Sequence, residues 1–92
     1  MAAPRYRVSL LPTVRRDLER LPHATQRRLG VTIEALGAEP RPPGSKLLSG
    51  KPNERIWRVR QGEYRILYQI RDQELLVLVI RVGHRREIYR HL

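Results

Sequence analysis

Three closely spaced runs of strand-forming residues in the C-terminal half restrict the fold more than any other feature of this chain. The runs cover residues 55–60 (RIWRVR), 64–71 (YRILYQIR) and 74–82 (ELLVLVIRV), and only Gln-Gly-Glu and Asp-Gln separate them. Connections this short are those of β-hairpins. The third run is apolar on both faces, which indicates an interior strand covered on both sides. The sequence therefore predicts a β-meander.

The N-terminal half predicts a strand followed by two helices. Residues 5–10 (RYRVSL) alternate polar and apolar side chains, as a half-buried strand does, and Pro12 ends that pattern. Apolar residues then recur at helical spacing in two antiparallel segments. They are Val14, Leu18 and Leu21 in the first segment, and Leu29, Ile33 and Leu36 in the second. Pro22 is predicted to close the first helix, and Gly37 to take the left-handed position after the second.

Residues 38–53 (AEPRPPGSKLLSGKPN) are too rich in proline and glycine for regular structure. We expect Leu47 and Leu48 to hold this loop against the core. The predicted fold is α+β with the order β-α-α-β-β-β, a twisted and mainly antiparallel sheet, and two N-terminal helices packed on one face. A chain of 92 residues is short for two cores, so residues 1–92 are predicted to form a single domain.

The charge balance predicts a polyanionic partner. The chain carries 19 Lys and Arg against 9 Asp and Glu, a net charge of +10, and its lysines are Lys46 and Lys51. Arginine favours bidentate binding of phosphate or carboxylate, so nucleic acid and an acidic protein both fit.

Other functional classes are disfavoured by the composition. The absence of cysteine excludes disulfides and thiolate chemistry, and three histidines without a carboxylate cluster predict no metal site and no cofactor. The sequence shows no signal peptide and no apolar run long enough to span a membrane. We therefore expect a cytoplasmic protein that makes no membrane contact.

Alternation along the strands predicts which side chains share a face. Trp57 and Val59 form the better core pair, so Arg58 and Arg60 should point away from the helices. In the next run, Arg65 lies opposite the apolar face and should join them. That apolar face consists of Tyr64, Ile66, Tyr68 and Ile70.

The register of the third strand depends on its turn. A two-residue turn at Asp72-Gln73 places Arg65 opposite Ile80, whereas one bulge residue places it opposite Arg81. Both registers remain open from sequence. In either case the segment after Val82 is predicted to emerge beside Arg65. That segment brings Gly83, His84, Arg85, Arg86 and Tyr89 to the edge of the same surface.

With these residues assembled, the chain resembles the toxins of the RelE/ParE superfamily of bacterial toxin-antitoxin pairs. The resemblance is carried by YRILYQI and LLVLVIRVGHRREIY, and it extends to RYRVSLLPTVRRDLERLP, KLLSG and WRVRQGEYR. It implies the microbial RNase-like RelE fold. For the RelE branch it also implies ribosome-dependent cleavage of messenger RNA in the decoding site, and neutralisation by a cognate RelB-like antitoxin in a hetero-oligomer.

The resemblance also assigns candidate residues. Arg65 matches the arginine after the tyrosine in the second strand of the meander, Arg85 the arginine after VG-x, and Tyr89 the C-terminal tyrosine. Arg58 stands at a strand-lysine position and His84 at another lysine-like position. Ile56 stands where a second catalytic lysine is expected. Further candidates for phosphate binding are Arg60, Lys46, Arg81 and Arg86.

These candidates fit metal-independent RNA cleavage, in which the 2′-hydroxyl attacks the adjacent phosphate. Arg65 and Arg85 would hold that phosphate and stabilise its developing charge. Arginine is a poor general base because it stays protonated, so His84 is the better candidate and Glu63 a weaker one. Tyr89 would stack on a base.

Simpler interpretations of the same residues remain. Arg58, Arg60 and His84 also fit solvated surface positions. The helix cations Arg15, Arg16, Arg20, Arg27 and Arg28 also fit a solvated face, although they could bind ribosomal RNA electrostatically. Two other functions stay open: a ParE-like inhibitor of DNA gyrase, and a basic module that binds RNA or antitoxin without catalysis, which Ile56 at the lysine position keeps possible.

Overall fold

The computed structural model describes residues 5–48 and 55–91, which form five strands and two helices. In chain order they are β1 (Arg7–Leu10), α1 (Pro12–Glu19), α2 (His23–Ala35), β2 (Lys46–Leu47), β3 (Trp57–Gln61), β4 (Tyr64–Arg71) and β5 (Leu76–His84). Short 3₁₀ turns cover Asp72–Glu74 and Ile88–His91. Neither helix is long and apolar enough to cross a membrane.

The strands form one mixed sheet in the order β1-β5-β4-β3-β2. Strand β1 pairs in parallel with β5, and the other neighbours are antiparallel. The predicted α+β fold with a mainly antiparallel sheet is thus confirmed. The prediction that residues 38–53 contain no regular structure is wrong, because Lys46–Leu47 pairs with β3 as an edge strand.

Both helices pack on one face of the sheet, which we call the inner face; the opposite side is the outer face. The inner face of the core is built from Val59, Ile66, Tyr68, Val77, Val79 and Val82. Val14 of α1 and Leu29 and Ile33 of α2 pack against it. Trp57 and Tyr64 are partly buried in the same cluster, so the predicted division of side chains between the faces of β3 and β4 is confirmed.

Helix α1 also closes the edge of β5 beyond the end of β1. Asp17 accepts the backbone N–H of Val82 at 3.1 Å and Nε of Arg81 at 3.2 Å. The Thr13 hydroxyl donates to the Ile80 carbonyl at 3.4 Å. Side chains of α1 therefore pair with backbone groups of β5 that β1 does not reach, which limits the exposed sheet edge.

Gly37 does not take the predicted left-handed conformation, since the described glycines with positive φ are Gly44 and Gly62. It is needed for a close approach instead. Its carbonyl accepts the N–H of Tyr6 at 2.7 Å, and a Cβ at this position would lie 2.8 Å from the Tyr6 carbonyl oxygen. The glycine at the end of α2 thus lets the start of β1 pack against it.

The proline-rich loop is held by polar contacts rather than by its leucines. Leu47 and Leu48 are 38% and 36% exposed, so the prediction that they hold the loop against the core is wrong. The buried phenol of Tyr68 donates to the Pro40 carbonyl at 2.7 Å, and burial raises the pKa of Tyr68 to about 12.

A second contact joins the loop to the turn between β4 and β5. Arg41 forms an ion pair with Asp72 at 2.8 Å, and its guanidinium lies 5.4 Å from the ring centre of Trp57. The phenol of Tyr6 donates to Asp72 as well. Arg41 and then Tyr6 hold the pKa of Asp72 below its usual range, and the hydrogen bond to Asp72 raises the pKa of Tyr6.

Both predicted registers of the third meander strand are wrong. The connection after β4 contains four residues, 72–75, and ends at Leu75 with a φ of 48°, so Arg71 pairs with Leu76. A bulge beside Leu67 and Tyr68 leaves Ile80 out of the pairing. Together these features place Arg65 opposite Gly83. Because the bulge adds one residue, it inverts the alternation of β5 and decides which side chains after Val82 reach the outer face.

Candidate active site

The outer face carries a set of cations in neighbouring cross-strand positions. Lys46 pairs with Arg58, and Arg60 pairs with Arg65. Arg65 in turn lies opposite Gly83 of β5. Directly paired residues have Cβ atoms about 4.5–5.5 Å apart, so the cations adjoin one another. The predicted grouping of Arg58, Arg60 and Arg65 on one surface is confirmed, and Lys46 extends it to the sheet edge.

No acidic residue offsets these cations within the strands. By alternation, the outer-face positions of the five described strands carry arginine, lysine, serine, glutamine, glycine and aliphatic residues, but no Asp or Glu. Like charges in directly opposed positions repel each other, which disfavours the free sheet. A bound polyanion would relieve this repulsion, so the arrangement suits phosphate groups.

Arg65 is anchored by the turn between β3 and β4. Its Nη1 donates to the carbonyls of Gly62 and Tyr64, each at 3.1 Å. The side chain is half-buried, and both contacts restrict the direction of its guanidinium. Arg65 thus has a fixed orientation at the end of the sheet where β5 leaves the pairing.

Arg58 is partly buried in the outer face. Its Nε is buried and has no hydrogen-bond partner within residues 5–48 and 55–91. Its neighbours on the outer face are Lys46 on one side and the fully buried Leu67 on the other. An unpaired buried donor is unfavourable, so an added acceptor would stabilise this position.

Arg85 lies just beyond the end of β5, next to the same turn. Its backbone N–H donates to the Glu63 carbonyl at 2.8 Å, and its Nε lies 2.8 Å from Oε2 of Glu63. The turn residues 62–64 therefore contact both Arg65 and Arg85. The prediction that the segment with Arg85 emerges beside Arg65 is confirmed, because both residues contact the same turn.

His84 does not lie where the sequence analysis placed it. It pairs with Tyr64, an inner-face residue, and the two rings meet edge to face with centroids 5.9 Å apart. The bulge at Ile80 causes this, because it exchanges the faces of the residues that follow it. His84 lines a cavity of about 310 Å³ on the helix side of the sheet. The predicted placement of His84 at the edge of the outer face is therefore wrong for its strand position, while its Nε2 lies 4.0 Å from Oε2 of Glu63 at the end of the sheet.

The C-terminal turn returns over the sheet at Gly83. Ile88 is buried, and a Cβ on Gly83 would lie 3.0 Å from its Cδ1 atom. Tyr89 follows Ile88 and is 42% exposed. The glycine opposite Arg65 therefore gives this turn room to dock and leaves the next tyrosine accessible.

The remaining predicted phosphate ligands differ in availability. Arg81 is committed to Asp17, with side-chain exposures of 38% and 12% for the two partners. Arg86 is exposed in the bend after β5, where its N–H donates to Nδ1 of His84 at 3.2 Å. Within the described ranges, no three His, Asp or Glu side chains are grouped closely enough to bind a metal ion.

Sequence reasoning missed the two acids that organise this end of the sheet. The sequence analysis gives Glu63 only as a weaker candidate base and does not single out Asp17. Glu63 is the second residue of a two-residue hairpin loop, a position that a correct register would have placed opposite Arg85. For Asp17, the sequence offers no comparable signal, since an acid in an amphipathic helix is ordinarily solvated.

The chain is similar to known toxins over most of its length. The sequence profile described as "ParE toxin of type II toxin-antitoxin system, parDE" matches residues 8–89. Toxin RelG of Mycobacterium tuberculosis is 41% identical over 90 residues, which cover 92% of this chain and 97% of the relative.

Solved structures give the same family. The toxin-antitoxin complex RelBE2 from Mycobacterium tuberculosis contains a chain that matches with a TM-score of 0.77 and 32% identity, over 90% of this chain and 94% of that one. The archaeal RelE-RelB complex from Pyrococcus horikoshii matches with a TM-score of 0.79 and 27% identity, over 95% and 99% of the two chains. The chain therefore belongs to the ParE toxin family of type II toxin-antitoxin systems, within the RelE/ParE superfamily.

Proposed function

We propose that this chain is a ribosome-dependent endoribonuclease toxin that cleaves messenger RNA in the decoding site. The observation that carries the proposal is the pairing of Arg60 with Arg65 on an acid-free sheet face, with Arg85 held beside them by the same turn. Two guanidinium groups at one sheet end suit the binding of a phosphate whose negative charge increases during reaction.

The reaction we propose takes place between groups of the RNA, with side chains that bind phosphate and water that exchanges protons. The 2′-oxygen attacks the adjacent phosphorus and loses its proton to water, the bond from phosphorus to the 5′-oxygen breaks, and the 5′-oxygen gains a proton from water. The products are a 2′,3′-cyclic phosphate and a 5′-hydroxyl. Arg65 and Arg85 would bind the non-bridging phosphate oxygens, while Arg58, Arg60 and Lys46 would hold neighbouring phosphates.

One predicted role changes within this proposal, and the role of Tyr89 is kept. His84 is not assigned the role of general base, because its ring lies against Tyr64 on the inner face. Tyr89 is assigned stacking on a base, since its ring is accessible beside the docked Ile88. Arg58 and Arg60 would bind neighbouring phosphates of the RNA through their charge.

The antitoxin also belongs to this proposal. A relative crystallised as a toxin-antitoxin complex covers nearly all of this chain, and this chain has a net charge of +10. An acidic segment of a RelB-like antitoxin would cover the outer face and shield its cations from RNA. Toxin and antitoxin would thus form a hetero-oligomer in the cytoplasm.

Growth and transcript ends test the proposal together. Induced wild-type toxin should arrest growth and produce codon-phased 3′ ends on translated messages only. Arg65→Ala and Arg85→Ala should each abolish both effects. Full toxicity in both variants would contradict the assignment of the active site.

Inhibition of DNA gyrase is a second candidate, favoured by the ParE description of the matching family profile. Against it, the paired arginines of the outer face suit phosphate chemistry, for which gyrase inhibition has no evident need. A supercoiling assay with purified gyrase separates the two functions. Inhibition by wild-type and Arg65→Ala protein alike, with no cleavage of translated RNA, would establish the second function and exclude the first.

A further inference from the structure

The turn between β3 and β4 contacts both candidate phosphate ligands. Gly62 and Glu63 form a two-residue loop between the paired residues Gln61 and Tyr64, and Gly62 has a φ of 59°. Glycine tolerates this conformation at the first central position of a tight hairpin turn. Both loop carbonyls accept hydrogen bonds: that of Gly62 from Nη1 of Arg65, and that of Glu63 from the backbone N–H of Arg85.

The Glu63 side chain adds a contact that the backbone does not provide. Its Oε2 lies 2.8 Å from Nε of Arg85 and 4.0 Å from Nε2 of His84. The contact to Arg85 is made through Nε, so it does not use the terminal Nη1 and Nη2 fork that binds phosphate end-on. Glu63 can therefore hold the guanidinium without occupying that fork.

This ion pair is a poor source of stability. The Arg85 and Glu63 side chains are 48% and 61% exposed, and solvated pairs of this kind add little to the free energy of unfolding. What the pair does provide is orientation, because an exposed arginine otherwise samples many rotamers. The consequence of the contact should appear in RNA chemistry rather than in folding.

We propose that Glu63 is a positioning residue that orients Arg85 toward the phosphate bound by Arg65. The proposal rests on the proposed function and extends it to the residue that aligns the two arginines. Pre-organisation of this kind matters because small displacements of a charge-stabilising group lower the rate steeply. Glu63 acts through Arg85 and contacts no substrate atom itself.

Glu74 supplies a matched control at the other end of the sheet. It is also a turn acid next to an arginine, with 3.9 Å between its Oε2 and Nη1 of Arg71, and exposures of 59% and 49% for the two side chains. The substitution Glu74→Gln removes one negative charge from a similarly solvated turn, as Glu63→Gln does. It lies far from Arg65 and Arg85, so it separates orientation from a general effect of net charge.

The kinetic test uses full-length toxin and ribosomes programmed with messenger RNA. In steady-state cleavage, kcat should fall about tenfold for Glu63→Ala and about threefold for Glu63→Gln, which keeps an acceptor oxygen. KM should change by less than about twofold in both variants. Glu74→Gln should cleave at the wild-type rate. All three variants should melt close to wild type. An unchanged or increased kcat in both Glu63 variants would overturn the proposal, because it would mean that Glu63 is idle or competes with phosphate for Arg85.

A second measurement decides the proposal even if the wild-type toxin cuts no RNA. In NMR spectra, the Nε–H resonance of Arg85 can be assigned by its loss in Arg85→Lys. This resonance should shift in Glu63→Gln and stay in place in Glu74→Gln. Titrated inorganic phosphate should perturb this signal in wild-type protein at lower concentration than in Glu63→Ala. An Arg85 signal unaffected by the Glu63 variants would refute the positioning role. Absence of cleavage by the wild type would instead refute the proposed function.

Discussion

Replacing Asp17 with alanine should destabilise the fold at the edge of β5. Its carboxylate is 12% exposed and accepts both the Val82 N–H at 3.1 Å and Nε of Arg81 at 3.2 Å. Val82 is buried, so its N–H would lose its acceptor at a cost of about 1–3 kcal/mol. Arg81 is 38% exposed and can turn to water, which limits its share to under about 1 kcal/mol.

These terms give a loss of about 2 kcal/mol, or a fall in Tm of about 8–16 °C for a domain of this size. Asp17→Asn keeps an acceptor oxygen and should lose about half as much. The control is Glu19→Ala, which removes an exposed acid from the same helix and should change stability by less than about 0.5 kcal/mol. Thermal melts and hydrogen exchange at the Val82 amide measure both effects. Equal Tm values for the Asp17 and Glu19 variants would refute the role of Asp17 in closing the edge.

Two further predictions concern the opposite ends of the sheet. Because Arg41 and Tyr6 lower the pKa of Asp72, its contribution to stability is present above the unfolded pKa near about 3.9 and is lost as pH falls through the lower folded value. The free energies of unfolding from urea titrations should therefore differ between wild type and Asp72→Asn at neutral pH, by under about 1 kcal/mol for this solvated pair, and the difference should disappear once the pH falls below the folded pKa of Asp72; a constant difference would refute the linkage. At the other end, Gly83→Ala should displace Ile88 by steric conflict and increase amide exchange in the C-terminal turn, with Gly30→Ala as a control whose added Cβ meets no atom within 4 Å. Unchanged exchange in that turn would show that the contact does not control its docking.

Much of the sheet could be predicted because local signals agreed with the tertiary structure. The run YRILYQIR forms β4 with the predicted bounds, since its alternation matches a face that packs on helices. The Gln-Gly-Glu connection gave a tight turn because glycine supplies the positive φ. The two-helix segment followed from apolar spacing alone, and Val14, Leu29 and Ile33 are buried in the core.

The candidate site was less predictable because it depends on two irregularities. Leu75 adopts a positive φ without being glycine or asparagine, so no residue type marks the longer turn. The bulge at Ile80 lies within an unbroken aliphatic run, where one residue more or less leaves the pattern unchanged. The bulge alone places His84 on the inner face, because a turn that is longer by two residues leaves the alternation unchanged, and tertiary packing rather than local sequence determines both features.

Ribosome-programmed cleavage by Arg65→Ala and Arg71→Ala proteins tests the central claim most directly. Both arginines lie on the outer face of β4, and six residues of strand place them about 20 Å apart. Removal of Arg65 should lower the single-turnover rate about 100-fold or more, as expected when a charge-stabilising donor is lost, while Arg71→Ala should retain nearly the wild-type rate. Equal rates for the two variants, or no ribosome-dependent cleavage by the wild-type protein, would contradict an RNA-cleaving site at this end of the sheet.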